Sequence, residues 1–378
     1  MIYADYNGSS FPCPEVISHL QKRLSEGPFG NPNAVHGLGQ KLIGEIEKAR
    51  RICAEVLGAK PSQIIFNSGS SEGISHVFHS ILSQTKKKKI LVSGIEHSAV
   101  VHACKIYAGR GFDIHKVPVA QNGIVDFNAF KKLMDEHAND MAMVSIMAAN
   151  NETGVIQPSK EIAQYCQKKN VPYFSDTTQY IGKTDFSFED SGMDYAVLSG
   201  HKVGALIGSG ILLVKNPEQL QPLIYGGGQE CGLRGGTQNY MAIETLAIAL
   251  KEFHSQKSKL DQCRKNREQF EAQIKKEFPE AVIIGDDSPR LASTTLIALP
   301  GISGQRVQMD LESQNIYVTT SSACSDNEEA SSKVLKAMGI TEEIGRSVVR
   351  ISLCLEQKDH EYNEIYKAVC KTYKKLKK

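Results

Sequence analysis

At 378 residues the chain exceeds a single minimal core and suffices for one large domain and one smaller one. Hydrophobic residues at 41% and charged residues at 23% match an ordinary soluble globular protein, and a formal charge of +2 argues against a general nucleic-acid or membrane surface. No apolar run approaches the ~20 residues of a membrane span, and Met1-Ile2-Tyr3-Ala4-Asp5 does not open a signal peptide, so the expected location is the cytoplasm.

From about residue 38 the apolar pattern alternates between helical and strand periods. Leu38, Leu42, Ile46, Ala49, Ile52 and Val56 recur at three- and four-residue steps, predicting a helix that Gly58 ends as a C-cap. The run Ile64-Ile65-Phe66 follows, and Gly69-Ser70-Ser71 then opens a helical stretch to about Leu82. Further strand-like runs lie at 89–92, 143–146, 172–175, 196–198 and 210–214, most of them separated by helical segments. Such alternation calls for an α/β fold with a mainly parallel central sheet covered on both faces by helices. A Gly-rich stretch from Gly226 to Gly236 breaks the pattern. After it, Ile243, Leu246, Leu250 and Phe253 share one helical stripe, which Phe270 and Ile274 are expected to continue. The remainder reads as a smaller α+β unit. We expect a large domain over 13–245 and a small domain built from 1–12 and 246–378.

The basic clusters at 86–89 and in the C-terminal run Lys371 to Lys378 read as solvated loop and helix ends. The nine cysteines are scattered, without a Cys-x-x-Cys pair or zinc spacing, so neither a metal site nor a disulfide framework is indicated. Cys53 and Cys354 lie in apolar patterns and read as small core residues. Cys324 lies instead in the small, polar segment 319–327, which looks like a mobile loop with an accessible thiol.

In an open parallel sheet the ligand sits beyond the carboxyl ends of the strands. Five successive strand ends here carry polar, chemically capable groups: 67–72, Glu96-His97, 150–152, 176–179 and 199–202. Gly69, Ser70 and Ser71 opening a helix can offer N–H groups and hydroxyls to a phosphate, or simply cap the helix. Asp176 can keep a pyridine nitrogen protonated, or cap the next element. His97 can stack on a ring or exchange protons near neutral pH. A lysine such as Lys202, drawn into a dry cleft, has its pKa lowered, which frees its amine for Schiff-base chemistry. Singly these residues are unspecific. An acid for a ring nitrogen and an amine for an aldehyde, on the ends of what look like adjacent strand units, are specific together.

The chain resembles the cysteine desulfurases of the class V aminotransferase family over essentially its whole length. Asp5-Tyr6, Phe29-Gly30-Asn31-Pro32 with His36, Ser68-Gly69-Ser70-Ser71-Glu72, Glu96-His97 and Asn150-Asn151-Glu152-Thr153-Gly154 carry the likeness. It continues through Asp176-Thr177-Thr178-Gln179, Ser199-Gly200-His201-Lys202, the stretches 226–230 and 234–237, Ser321-Ser322-Ala323-Cys324-Ser325 and Arg350-Ile351-Ser352-Leu353. The resemblance implies the fold-type I transferase architecture, pyridoxal 5'-phosphate as cofactor and a homodimer. Lys202 would hold the cofactor covalently and move the Cα proton, Asp176 would pair with the ring nitrogen, Gln179 would meet the ring hydroxyl, and His97 would stack on the ring. Ser70, Ser71, Ser199 and His201 would bind the phosphate, with Thr237 supplied by the other subunit. Asn151 and Arg350 would hold the carboxylate of the substrate L-cysteine. Cys324 would take the sulfur as a persulfide and pass it to an acceptor protein, an iron–sulfur scaffold or a thiolating enzyme, with L-alanine as coproduct. The stretch around Cys324 resembles the group with a long sulfur-carrying loop.

The sequence also departs from the family. A usual Gly-Pro pair after the cofactor lysine is replaced by Val203-Gly204, and the early Ala-Ala-Thr-Thr by Asn7-Gly8-Ser9-Ser10. Ser71 stands for a usual Thr and Thr177 for a usual Ala. Two other readings therefore stay open: an aminotransferase or lyase of the same family acting on another small amino acid, and a partner-binding relative without catalysis.

Overall fold

The computed structural model describes residues 1–320, 331–356 and 360–377, so Cys324 lies outside the described residues. The strands, in chain order, are β1 (Ile2–Tyr3), β2 (Ile64–Asn67), β3 (Lys89–Ser93), β4 (Asp113–Val117), β5 (Met141–Ser145), β6 (Tyr173–Asp176), β7 (Tyr195–Ser199), β8 (Gly210–Val214), β9 (Val282–Ile283), β10 (Thr294–Ala298), β11 (Ile316–Tyr317) and β12 (Val348–Ser352). The helices that matter below are α1 (Gly37–Leu57), α2 (Ser70–Gln84), α3 (Ser98–Ala108), α4 (Tyr240–Gln256), α5 (Leu260–Glu277), α6 (Gly304–Ser313) and α7 (Glu361–Leu376).

Seven strands form the main sheet in the order β2-β8-β7-β6-β5-β3-β4. β7, β6, β5, β3 and β4 pair in parallel, whereas β8 runs antiparallel to both of its neighbours. The reason is the short connection at 200–209, since a parallel return needs a crossover of roughly a dozen residues or more. Apart from the edge, these strands are buried along their length, which explains their continuous apolar runs. Edge strand β4 reads Asp113-Ile114-His115-Lys116-Val117 and is mostly not buried, so its sequence carries no such run.

Gly58 ends α1 in the left-handed conformation (φ 59°, ψ 46°), as its spacing predicts. The expected single stripe after the Gly-rich stretch divides instead. α4 and α5 are separate helices joined by a tight turn at 257–259, with Ile243, Leu246 and Leu250 in the core of the main sheet. Phe270 and Ile274 pack in a second core with Ile297, Val307, Ile351 and Ile365. That core lies around an antiparallel sheet, β12-β10-β9, and the parallel pair β1-β11. We retain the division at 12/13 and 245/246 as a proposal. Cys53 is fully buried, whereas Cys354 lies just past β12 and is only half-buried, so it is not the strand-core residue expected.

One seam joins these parts, and a second contact holds the N-terminal segment in place. Segment 154–156 bonds to 289–291 through Ile156 N–H to Pro289 O (2.8 Å) and Leu291 N–H to Gly154 O (2.9 Å). The N-terminal segment runs beside β12, where Tyr6 N–H donates to Ser352 O (3.0 Å) and Ser352 N–H to Ala4 O (2.8 Å). Among the described residues no helix is long and apolar enough to cross a membrane.

Candidate active site

The polar strand ends converge on one cavity, lined among others by Ser70, Ser71, His97, Asn151, Asp176, Gln179, Ser199, His201, Lys202 and Arg350. Each side chain is placed by a short feature of its sequence. Gly69 precedes α2 at φ 147°, and no side chain caps that helix, so its N-terminus stays open to an anion. Close packing beneath it depends on Gly210, where a Cβ would come within 2.5 Å of Gly69 Cα. Ser199 ends β7, with its hydroxyl 3.2 Å from where a Cβ on Gly69 would stand. Thr178 Oγ1 donates to Ser70 Oγ at 2.6 Å, or to Asp176 Oδ1 at 2.5 Å. Glu72, a negative charge at this anion-friendly end, is occupied by Arg234 at 2.8 Å and by the Ser68 N–H.

Asp176 closes β6 and is buried, and Oδ1 also accepts the Thr178 N–H at 3.0 Å. Lys202 ends a tight turn directly after β7, and its Nζ donates to the carbonyls of Asn7 (2.8 Å) and Gly8 (2.5 Å). His97 caps α3 with Nδ1 accepting the Ala99 N–H at 3.2 Å, so the proton of the neutral ring is on Nε2. Burial lowers its pKa, Asp176 opposes that, and Lys202 adds to it, which favours the neutral ring. His201 contacts Ser9 Oγ at 3.1 Å, and burial with Lys202 and Lys183 pushes its pKa down to about 4.

Arg350 on β12 is buried and donates to Asn151 O (2.8 Å) and Asp5 Oδ1 (2.5 Å), while its Nε is buried without a partner. Asn151 thus meets Arg350 through its backbone carbonyl. Gln179 donates to Asn7 O at 2.8 Å and accepts from Lys183. Thr237 is exposed and is not among the residues lining the cavity.

Sequence reasoning missed Lys183, the Asp5–Arg350 pair and the state of two glutamates. Burial pushes Glu96 up to about 8, against hydrogen bonds from Ser93 and the Met147 N–H, with Asp176 adding to the rise. Burial likewise raises Glu152 to about 7, opposed by Ser332 and Arg350. Both glutamates belong to motifs the sequence singled out, but only tertiary burial alters their chemistry. The departures have local reasons. A Cβ on Gly8 would meet Asp5 Oδ2 at 2.3 Å, disturbing the partner of Arg350. The Thr177 hydroxyl donates to Val197 O at 2.7 Å, tying β6 to β7. Among the described residues no group of three or more His, Cys, Asp or Glu could hold a metal ion.

A pyridoxal phosphate matches this donor set: an amine at one strand end, a buried carboxylate at the next, and an uncapped helix N-terminus with hydroxyls. The family model for aminotransferase class-V matches residues 2–364. Cysteine desulfurase IscS of Clostridium botulinum is 30% identical over 381 aligned residues, covering 99% of this chain and 94% of the relative. A solved NifS-like protein superposes with a TM-score of 0.91 at 34% identity, covering 99% of this chain and 100% of the other. A structure described as SspA in complex with cysteine gives a TM-score of 0.82 at 28% identity, covering 95% of this chain and 100% of the other. With its matching architecture and a family that implies pyridoxal phosphate, this chain belongs to the aminotransferase class-V family and is similar throughout to its cysteine desulfurases.

Proposed function

We propose that the protein is a pyridoxal-phosphate-dependent cysteine desulfurase. It converts L-cysteine to L-alanine, leaves the sulfur as a persulfide on Cys324, and delivers it to an acceptor protein for iron–sulfur assembly or thiolation. The observation that carries this reading is the convergence on one cavity of Lys202, Asp176, the open N-terminus of α2 and the Arg350 guanidinium. The likeness to cysteine desulfurases over the full length, and to a solved structure described as SspA in complex with cysteine, supports the substrate.

When bound, the cofactor supplies an electron sink for charge developing at the substrate Cα. Lys202 would hold it covalently and would carry the Cα proton, with the Asn7 and Gly8 carbonyls aiming its amine. Asp176 stands for the ring nitrogen, oriented by Thr178. His97, favoured as a neutral imidazole, would stack on the ring. Ser70, Ser71, Ser199 and His201 take the phosphate, joined by Thr237 of a second copy in a homodimer. Asn151 and Arg350 would receive the substrate carboxylate, which the planar guanidinium suits as a bidentate donor and with which Asp5 would compete for that guanidinium. The Cys324 thiolate forms an S–S bond to the substrate sulfur as the substrate C–S bond breaks. The electron pair of that bond stays with carbon and is protonated, so enzyme thiol plus cysteine gives enzyme persulfide plus alanine. No external oxidant is needed.

The test is alanine and sulfide release from L-cysteine with a thiol reductant, comparing native protein with Cys324→Ala. The variant is expected to keep the cofactor's visible absorbance and lose essentially all release. Equal release from both, or none from either with cofactor bound, points to an aminotransferase or lyase acting on another amino acid. A native protein that takes up no cofactor points to the partner-binding alternative.

A further inference from the structure

Lys183 has no part in the roles above. It follows Gln179 by four residues in the turn after β6, and its Nζ donates to Asn7 Oδ1 at 2.6 Å and Gln179 Oε1 at 2.5 Å. A charged lysine amine has donors and no lone pair, so the amide atoms it touches are oxygens. That fixes which end of each amide faces which way, normally an ambiguous matter. Asn7 then turns its NH2 to Asn151 O (3.2 Å) and Thr294 Oγ1 (3.1 Å), and Gln179 turns its NH2 to Asn7 O (2.8 Å). A reversed Gln179 would set a carbonyl oxygen against the carbonyl of Asn7. That same carbonyl accepts from Lys202 at 2.8 Å, so one backbone oxygen links both parts of the site.

We propose that Lys183 is a positioning residue for the Lys202 centre. By binding two side-chain oxygens at once it makes Gln179 offer N–H rather than C=O to a ligand in the cavity, and it holds the Asn7 carbonyl against Lys202. The charged groups around it are Lys202, Arg350, Asp5 and His201. Burial lowers the Lys183 pKa, Lys202 and Arg350 lower it further, Asp5 opposes them, and the result is well below the usual lysine range.

This inference rests on the proposed function, in which Gln179 meets the cofactor's ring oxygen. An N–H donor stabilises negative charge on that oxygen, and loss of the donor raises the pH at which the bound chromophore titrates. The experiment is a pH titration of the visible absorbance of the holoenzyme for native protein, Lys183→Met, Gln179→Ala and the double variant. Lys183→Met should move the midpoint upward by on the order of one unit. In the Gln179→Ala background the same substitution should add little, because both act through one amide. Lys183→Arg keeps donors and should return the midpoint toward native. If Lys183→Met cannot be obtained folded, Lys183→Arg carries the test, and an upward shift of a full unit in it overturns the proposal. An unchanged midpoint in Lys183→Met, or shifts that simply add in the double variant, also overturns it. A native protein with no titrating chromophore overturns the proposed function, and this inference with it.

Discussion

Glu96 and Glu152 occupy the cavity wall with carboxyl groups pushed up to about 8 and about 7 by burial. For Glu96 the protein gives one oxygen to the Ser93 hydroxyl (2.5 Å) and the Met147 N–H (2.8 Å) and leaves the other buried without a partner. A carboxyl raised in the folded state binds its proton there while the unfolded chain, at 4.5, has already released it. Stability therefore falls as pH rises from about 4.5 to about 8 and levels off above, by on the order of a few kcal/mol. Glu96→Gln removes this proton, so thermal melts of the variant should lose less between about pH 5 and 8 than native melts do. A parallel decline in both proteins would assign the dependence elsewhere. Much of the site was legible at this scale, because Asp176, Gln179, Ser199, His201 and Lys202 are polar residues that interrupt apolar strands at their ends. What was not legible depends on neighbours distant in sequence: Asp5 meets Arg350 across 345 positions, and nothing local marks Lys183 as bonded to Asn7.

β8 packs closely against the start of α2. Gly210 pairs with Asn67 in β2 and with Ser199 in β7, and a Cβ there would strike Gly69 Cα and Asn67 Oδ1, both at 2.5 Å. Gly210→Ala is expected to cost about 1–3 kcal/mol through overpacking and, under the proposed function, to weaken cofactor retention. A melt together with cofactor release on gel filtration checks both, and native retention in the variant would separate this contact from the cofactor site. Buried strands announced themselves by apolar runs, whereas β4 at the edge did not, with Asp113, His115 and Lys116 at three of five positions. The antiparallel sense of β8 lay in the shortness of the loop before it. The break between α4 and α5 falls at Lys257-Ser258-Lys259, without Gly or Pro to mark it. The two-residue strands β1, β9 and β11 are too short to show a period.

On the scale of the molecule, the seam at 289–291 is braced by Glu271, which accepts both Nη atoms of Arg290 at 2.8 Å and Nη1 of Arg267 at 3.0 and 3.1 Å. Burial raises this carboxyl, but Arg290 and Arg267 outweigh it and hold it below its usual range. Its stabilisation is thus present above about 4.5 and lost as pH falls through the lowered value. Glu271→Gln leaves two buried guanidiniums without their anion and should cost about 3–5 kcal/mol near neutral pH. Chemical denaturation near pH 7 and pH 3 checks this, with the gap between native and variant expected to narrow in acid. At the C-terminal end of α5, Lys374 pairs with Glu277 (2.5 Å), and Lys375 of α7 reaches Asp310 of α6 (2.5 Å), so these tail lysines make surface ion pairs as well as solvating their helix end. The segment around Asn7 reaches furthest, bonding through one buried residue to Lys202, Lys183, Gln179, Thr294 and Ser352. Ser352 follows Asn7 by 345 residues, which a ribosome adding 5–20 residues per second needs roughly 20–70 s to make. During synthesis Asn7 can meet Gln179, Lys183 and Lys202 well before Ser352 exists, and the bond that anchors its N–H to β12 forms only after that strand has emerged. The anchoring of this segment thus waits on a strand some 345 residues away, which makes it a late step in assembly rather than part of a local nucleus.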